Sequence, residues 1–354
     1  MVTPPSPVRS AADTVSFGTA ITASDLDEAY ALTLQAVLHK GHRVIPGPVD
    51  GPLQGKASRE LIAFQVSIQD VRRRILINPS RAFNIIGAVA RFTWMVAANN
   101  RLEDIAFYEP RVRRYSDNHL TVPGSDYGRR LFDPQPGLNQ IQGVISTIER
   151  ERGSRRAACV VWRPEDAVRD SNDIPCAFGT FYSARDGGLV STTIMRSNNA
   201  FLLLPYNVFE FSLISEMIAA SVGIDPLAYI HFAASMHVYD DQVPPAQEAI
   251  DAYYHLERQK GSPMPPMPRM PLPFEQATEL ARLEARLRHE FAVESPKVLF
   301  ERGAVLHDYW RAFYNLLLAY ALARASQRDE ALSVARHIPD YFPAPMLPEG
   351  ERNV

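Results

Sequence analysis

Apolar positions in this chain fall into two periods, and the switches between them mark out its elements. Residues 24–39, SDLDEAYALTLQAVLH, repeat at helical spacing; Ser24 is a candidate N-cap, acidic residues fill the first turn and Gly41 follows the end. Residues 81–98, RAFNIIGAVARFTWMVAA, are apolar nearly all round and predict a largely buried helix, as do residues 206–223, YNVFEFSLISEMIAASVG, which end at Gly223. In LNQIQGVISTIERERG, residues 138–153, Ile141, Val144, Ile145 and Ile148 lie on one face of a helix. Strand-type runs are LIAFQVSIQDV (61–71), AACVVW (157–162), AFGTFYSA (177–184), LVSTTIMR (189–196) and YIHFAASMHVY (229–239). RDGG, between the third and fourth of these, is a hairpin turn sequence.

The pattern breaks at residues 261–273, GSPMPPMPRMPLP, where six prolines forbid both a regular helix and a central strand. A stiff extended linker is the expectation, with a ligand for a proline-binding domain as the alternative. Residues 274–354 follow as a C-terminal segment, helical in FEQATELARLEARLRHEFA and in the run from Val305 to Ile338. Its apolar WRAFYNLLLAYALA stripe reads as core or interface. Residues 1–20, rich in proline and serine at their start, are expected to be disordered, which leaves residues 21–260 as the main domain.

Composition narrows the function classes. A net charge of −3 gives no bulk basic field for nucleic acid. No apolar run is long enough to span a membrane, and the N-terminus lacks the apolar core of a signal peptide. Two cysteines without a CxxC pair argue against a disulfide scaffold or a zinc site, so no metal is expected. A cytoplasmic protein is the expectation.

One of those cysteines, Cys176, follows Pro175. Downstream come Arg196–Ser197, Pro205–Tyr206–Asn207 and the pair His237 and Tyr239, which share a strand face because side chains alternate with period two. Upstream lies Ser154–Arg155–Arg156, before a strand ending in Trp162. Singly these are weak signals: a lone cysteine is usually core and an arginine pair usually a solvated surface. In this order, with Arg196, Asn207 and His237 at 20, 31 and 61 residues from Cys176, they resemble thymidylate synthase. The likeness is good over about residues 120–245, weak back to about residue 22, and absent beyond about 260.

That resemblance implies an α+β fold, a mixed twisted sheet with flanking helices that dimerises through a sheet face. It implies Cys176 as a nucleophile at C6 of a pyrimidine nucleoside monophosphate (dUMP, UMP, dCMP or CMP), making C5 nucleophilic towards a one-carbon donor, 5,10-methylenetetrahydrofolate. Arg196 is expected to favour the thiolate and, with Ser197 and Arg59, to bind the phosphate. Asn207 would read the base edge, His237 and Tyr239 the sugar, and Tyr127 in SDYGRR would stand near the reacting atoms. Arg155 and Arg156 would reach across a homodimer interface into the partner's site.

Four departures qualify the resemblance. Anchored on Trp94, the position of the family's catalytic glutamate is Arg91, which leaves a place for a carboxylate from elsewhere, such as Glu103, Asp104 or the C-terminal helices. The usual histidine after the nucleophile is Ala177; the aspartate expected to contact the folate pterin is Asn199, and the glutamine before the Arg-Ser pair is Met195. The family's short closing tail is replaced by the proline-rich segment and helices. The nucleotide side is kept and the folate side altered, so three readings stay open: a methyl or hydroxymethyl transferase, a non-catalytic nucleotide-binding homologue, and a folate-independent reaction at C5.

Overall fold

The computed structural model describes residues 17–45, 56–133, 135–255 and 262–349. Its sheet runs in the order β1 (Ala20–Ala23), β3 (Ser58–Ile68), β8 (Asp225–Tyr239), β6 (Gly188–Met195), β5 (Ala177–Arg185) and β4 (Ala158–Val160). Two short strands are added, β2 (His42–Val44) against β3 and β7 (Asn198–Asn199) against β8. β1 with β3, and β6 and β7 with β8, are parallel; the other pairs are antiparallel. The expected mixed sheet is therefore present.

Local chemistry explains the connections. β5 and β6 are joined at Asp186 and Gly187, both with positive φ (48° and 78°), the pairing a tight hairpin turn needs. β6 and β8 run parallel and need a long crossover, supplied by the helix Leu204–Ser221. That helix carries Pro205 in its first turn and stops before Gly223, whose φ of 73° suits glycine. The first helix, α1 (Leu26–Lys40), is capped by Asp25, whose side chain accepts from the Glu28 N–H at 3.0 Å. Ser24, the expected cap, instead donates from its backbone N–H and its hydroxyl to the Glu28 carboxylate, so the cap falls one residue later than predicted.

The helices follow as α2 (Ile85–Val96), α3 (Leu102–Ala106), α4 (Tyr127–Phe132), α5 (Gln140–Arg150), α6 (Leu204–Ser221), α7 (Val243–His255), α8 (Pro273–Glu290), α9 (Pro296–Arg302), α10 (Asp308–Arg324) and α11 (Arg328–Ala335). α1 and α6 cover one face of the sheet, closing Phe64, Val66, Tyr229 and Ala233 into the core. The other face keeps Val160, Phe181 and Leu227 exposed by 48%, 49% and 43%. α8 and α10 pack on α2, and Trp310, Phe313 and Leu317 join the same continuous core as the sheet residues.

Of the stretch expected to be disordered, residues 1–16 lie outside the described residues, while the Thr19 carbonyl already accepts from Gln65 N and Ala20 opens β1. Residues 262–272 hold no helix or strand, as the prolines dictate, and Gly261 lies outside the described residues. They run along the protein surface with Met264 and Met267 buried beneath, Met264 N donating to Arg72 O and Met267 N to the Glu216 carboxylate. Among the described residues, no helix is long and apolar enough to cross a membrane.

Candidate active site

Cys176 ends the loop that leads into β5. The loop is fixed by Asp173, whose buried carboxylate accepts from Gly124 N, Ser125 N and Ser125 Oγ at 2.6, 3.0 and 2.6 Å. Gly124 is required there, because a Cβ would fall 1.7 Å from the Asp173 carbonyl oxygen. These bonds tie the cysteine loop to the start of α4, and Tyr127 there turns its hydroxyl to the Ala177 N–H at 3.4 Å. Arg196 closes the other side. Its backbone N–H donates to Cys176 O at 2.7 Å, and its guanidinium donates to Pro175 O and Ile174 O.

Opposing influences act on the thiol of Cys176. Burial pushes the Cys176 thiol up, and although Arg196 pulls the other way, Asp173 opposes it and the net shift is upward. Arg196 therefore limits the penalty of burial without producing a thiolate of low pKa. Tyr127 is raised as well, by burial first and then by Cys176 and Glu210, so both of those groups lie close to its phenol.

Ser197, His237 and Tyr239 lie together. Ser197 Oγ lies 3.3 Å from His237 Nδ1, and the His237 and Tyr239 rings meet edge to face at 5.0 Å. Burial lowers His237 to about 4, which keeps the ring neutral at physiological pH. Tyr239 is raised by burial, then by Tyr115 and by Cys176, so the cysteine's charge acts on this cluster. Asn207 sits in the first turn of α6, and its side-chain amide makes no hydrogen bond among the described residues, leaving both donor and acceptor for a ligand.

Other candidates stand apart within one chain. Arg59 is opposite Val238 on β3, whereas Glu60 is opposite His237, so Arg59 occupies the other sheet face, and its guanidinium donates to Leu38 O at 2.6 Å. Arg155 and Arg156 are exposed and precede β4, where Ala158 pairs with Phe181, about 16 Å along β5 from Cys176 at roughly 3.3 Å per residue. Asn199 is buried, donating to Gln242 and accepting from Leu202 N, so both ends of its amide are engaged inside the protein. A separate cleft of about 320 Å³, lined by Asn100, Arg129 and Arg163 among others, includes none of the predicted site residues.

Several groups at the site escaped the sequence reading. Lys56 lies 5.6 Å above the Tyr239 ring, and Arg114 and Tyr115 from the 3₁₀ turn Pro110–Tyr115 are close enough to shift the Tyr239 phenol. RVRRY was the available signal for the last two: a basic cluster ending in an aromatic residue. The carboxylates near Arg91 are also not those anticipated. Glu103 is exposed and paired with Arg113, and Asp104 is held by Arg288 of α8 at 2.6 Å. Arg91 instead grips Glu109 with Nε and Nη2, and the second nearby carboxylate is Glu210 of α6. Glu210 is 6% exposed and raised to about 7, by burial first, with Arg91 lowering it and Glu109 raising it.

The site can be set beside known proteins. The family model described as thymidylate synthase matches residues 69–284. A putative thymidylate synthase of Methanocaldococcus jannaschii is 34% identical over 145 residues, 38% of this chain and 65% of that protein. The deoxyuridylate hydroxymethyltransferase of Pseudomonas phage M6 is 27% identical over 175 residues, 48% of each chain. That of Bacillus phage SP01 is 25% identical over 239 residues, 64% of this chain and 60% of the phage protein. The chain thus spans less than two thirds of the length of each of these relatives. Thermostable thymidylate synthase A from Bacillus subtilis shares the fold, with a TM-score of 0.55 at 19% identity over 64% of this chain and 84% of that one. With the family model covering well over half of its residues and the same fold around Cys176, this chain belongs to the thymidylate synthase family.

Proposed function

We propose that the protein transfers a one-carbon group to C5 of a pyrimidine nucleoside monophosphate through a covalent bond between Cys176 Sγ and C6. The observation that carries this reading is the convergence of Cys176, Arg196, the Ser197–His237 pair and Tyr239, with the unengaged Asn207 amide on α6. C5 of a pyrimidine is a poor nucleophile until a thiolate adds at C6 and sends the ring electrons towards C5 and O4. Arg196 offers a fixed guanidinium beside the thiol, and Asn207 a donor and acceptor for the base edge.

Relatives named deoxyuridylate hydroxymethyltransferases favour a dUMP-like substrate and a hydroxymethyl product. Methylenetetrahydrofolate is the one-carbon donor of this reading. The position expected to meet its pterin ring does not fit that task, since the Asn199 amide is committed to Gln242 and Leu202 N. Any hold on the donor therefore comes from other residues. The protein is taken as a homodimer joined through the open sheet face of Val160 and Phe181, with Arg155 and Arg156 serving the partner's site. The phosphate role of Arg59 requires its guanidinium to leave Leu38 O.

The test uses dUMP, UMP, dCMP and CMP tritiated at C5, each with and without methylenetetrahydrofolate. Tritium release that requires the folate, and its loss in Cys176→Ser, are the expected results. Binding of a nucleotide with no release from any of the four would overturn the reading in favour of a non-catalytic homologue. Release without folate would replace transfer by a folate-independent reaction.

A further inference from the structure

Glu210 is a buried carboxylate that none of the predicted roles uses. It lies three residues after Asn207 on α6, so the two side chains are neighbours on one helix face. Its carboxylate makes no hydrogen bond among the described residues, although the residue is 94% enclosed. Arg91, the cation whose charge acts on it, spends its Nε and Nη2 on a two-pronged grip on Glu109. Gly87, one turn earlier on α2, makes that grip possible: a Cβ there would stand 2.7 Å from Glu109 Oε1. A buried carboxylate left without a partner is costly, and such groups persist where chemistry uses them.

We propose that Glu210 is the acid–base carboxylate of this site, acting at O4 of the pyrimidine, and that the Arg91–Glu109 pair positions it. The assignment rests on the transfer reading above and supplies the carboxylate that Arg91 displaces from α2. If Asn207 reads the base edge, the side chain one turn further along α6 lies beside O4. As the Cys176 thiolate bonds to C6, the C5=C6 pair moves towards C4 and the C4=O4 pair moves to O4, which takes the proton from Glu210. When C5 bonds to the carbon of the one-carbon donor, the electron pair of the bond broken there stays with the donor, the carbonyl re-forms and that proton returns to Glu210; loss of the C5 hydrogen as a proton then re-forms C5=C6 and expels the Cys176 thiolate.

The charged and titratable groups around Glu210 are Arg91 on α2, Glu109 before the 3₁₀ turn, Tyr127 on α4 with Cys176 beyond it, and Tyr229 on β8, itself 3.1 Å from His231 Nδ1. Burial, helped by Glu109 and opposed by Arg91, holds the Glu210 proton on, to about 7. The reactive form carries a proton on Glu210 and none on Cys176. Since the thiol titrates higher, that form has the same total protonation as an ionised Glu210 beside a neutral thiol. Activity therefore rises with pH through about 7 and falls where the thiol ionises.

The experiment compares wild type, Glu210→Gln, Glu210→Asp and Glu109→Gln for tritium release across pH, with nucleotide affinity and the unfolding midpoint measured on each. Glu210→Gln is expected to lose about 100-fold or more in release while nucleotide affinity changes less than about threefold. Its rise near pH 7 should disappear, and Glu210→Asp should recover part of the rate. Glu109→Gln frees Arg91 towards Glu210 and is expected to move the ascending limb to lower pH, a shift that a purely structural role gives no reason for. Release by Glu210→Gln within about threefold of wild type, with the limb unmoved, overturns the assignment and leaves the transfer reading standing. A wild type that binds nucleotide but releases no tritium overturns both.

Discussion

Arg196 donates from Nε to the carbonyl oxygen of Pro175 across 2.8 Å, so the guanidinium is anchored to the residue just before the nucleophile. A second bond to Ile174 O at 3.1 Å fixes its plane, and the charge stays beside Sγ without being bonded to it. Burial is the larger influence on the thiol and raises it above its ordinary value of 9.0. The ligand-free protein should therefore be alkylated at Cys176 more slowly at pH 7 than a free thiol. Arg196→Gln keeps donors for the two carbonyls but removes the charge, and is expected to move the midpoint of alkylation rate against pH further upward. Iodoacetamide modification followed by mass spectrometry checks it, with Cys159 as an internal control because burial raises that thiol to about 12. A midpoint unchanged in Arg196→Gln would show that the guanidinium does not act on the thiol.

β8 carries two histidines that burial keeps neutral. His231 is fully enclosed and lowered to about 3, with its Nδ1 against the Tyr229 hydroxyl and, among the described residues, no partner for Nε2. His237 is lowered to about 4. Their folded values lie below the unfolded value of about 6.5, so the unfolded chain binds protons first as the pH falls. The stability they represent is complete above about 6.5 and is lost progressively as pH falls through about 4 for His237 and about 3 for His231. For His231 the loss amounts to a few kcal/mol in order of magnitude. Carboxyls that burial raises to about 7, Asp27, Asp126 and Glu210, act in the opposite sense in wild type and variant alike, so the reading is the difference between the two: in urea unfolding at pH 7.5 and at pH 5, wild type should lose ground to His231→Phe as the pH falls, and a difference that stays constant would overturn the assignment.

Much of this was legible in the sequence for a physical reason. Strands and buried helices announce themselves by period, so β5, β6, β8 and α6 lie within a few residues of where the pattern put them. Motif residues on those elements, Cys176, Arg196, Ser197 and His237, were placed by counting, because a strand or a tight loop fixes where each residue points. Arg59 shows the limit. It sits in a clear strand, but which face it takes depends on pairing with β8, and one position along, Glu60 stands opposite His237. Glu210 shows another limit. A carboxylate inside an apolar helix was visible, yet its significance depends on Arg91 and Glu109, which are far away in sequence. Nor does composition reveal that Met264 and Met267 turn a proline-rich stretch against the core.

Glu216, two turns beyond Glu210 on α6, makes the strongest purely structural prediction. Its carboxylate is fully buried and bonds to both Arg74, itself 1% exposed, and Arg72 Nε at 2.8 Å. The Met267 N–H adds a third bond, so one carboxylate joins α6, the turn after β3 and the proline-rich segment. Burial raises its pKa, but Arg74, Arg72 and the Met267 amide together outweigh that and hold it below the ordinary 4.5. Its stabilising effect is therefore present above about 4.5 and lost as the pH falls through the lower folded value. Glu216→Gln leaves the enclosed Arg74 charge without its counter-ion and is expected to cost about 3–5 kcal/mol in urea unfolding. The pair Arg74→Leu with Glu216→Leu removes both buried charges and should cost less than the sum of the single changes, since the two residues act as one unit. A Glu216→Gln cost below about 1 kcal/mol would mean that the ion pair does not hold these three segments together.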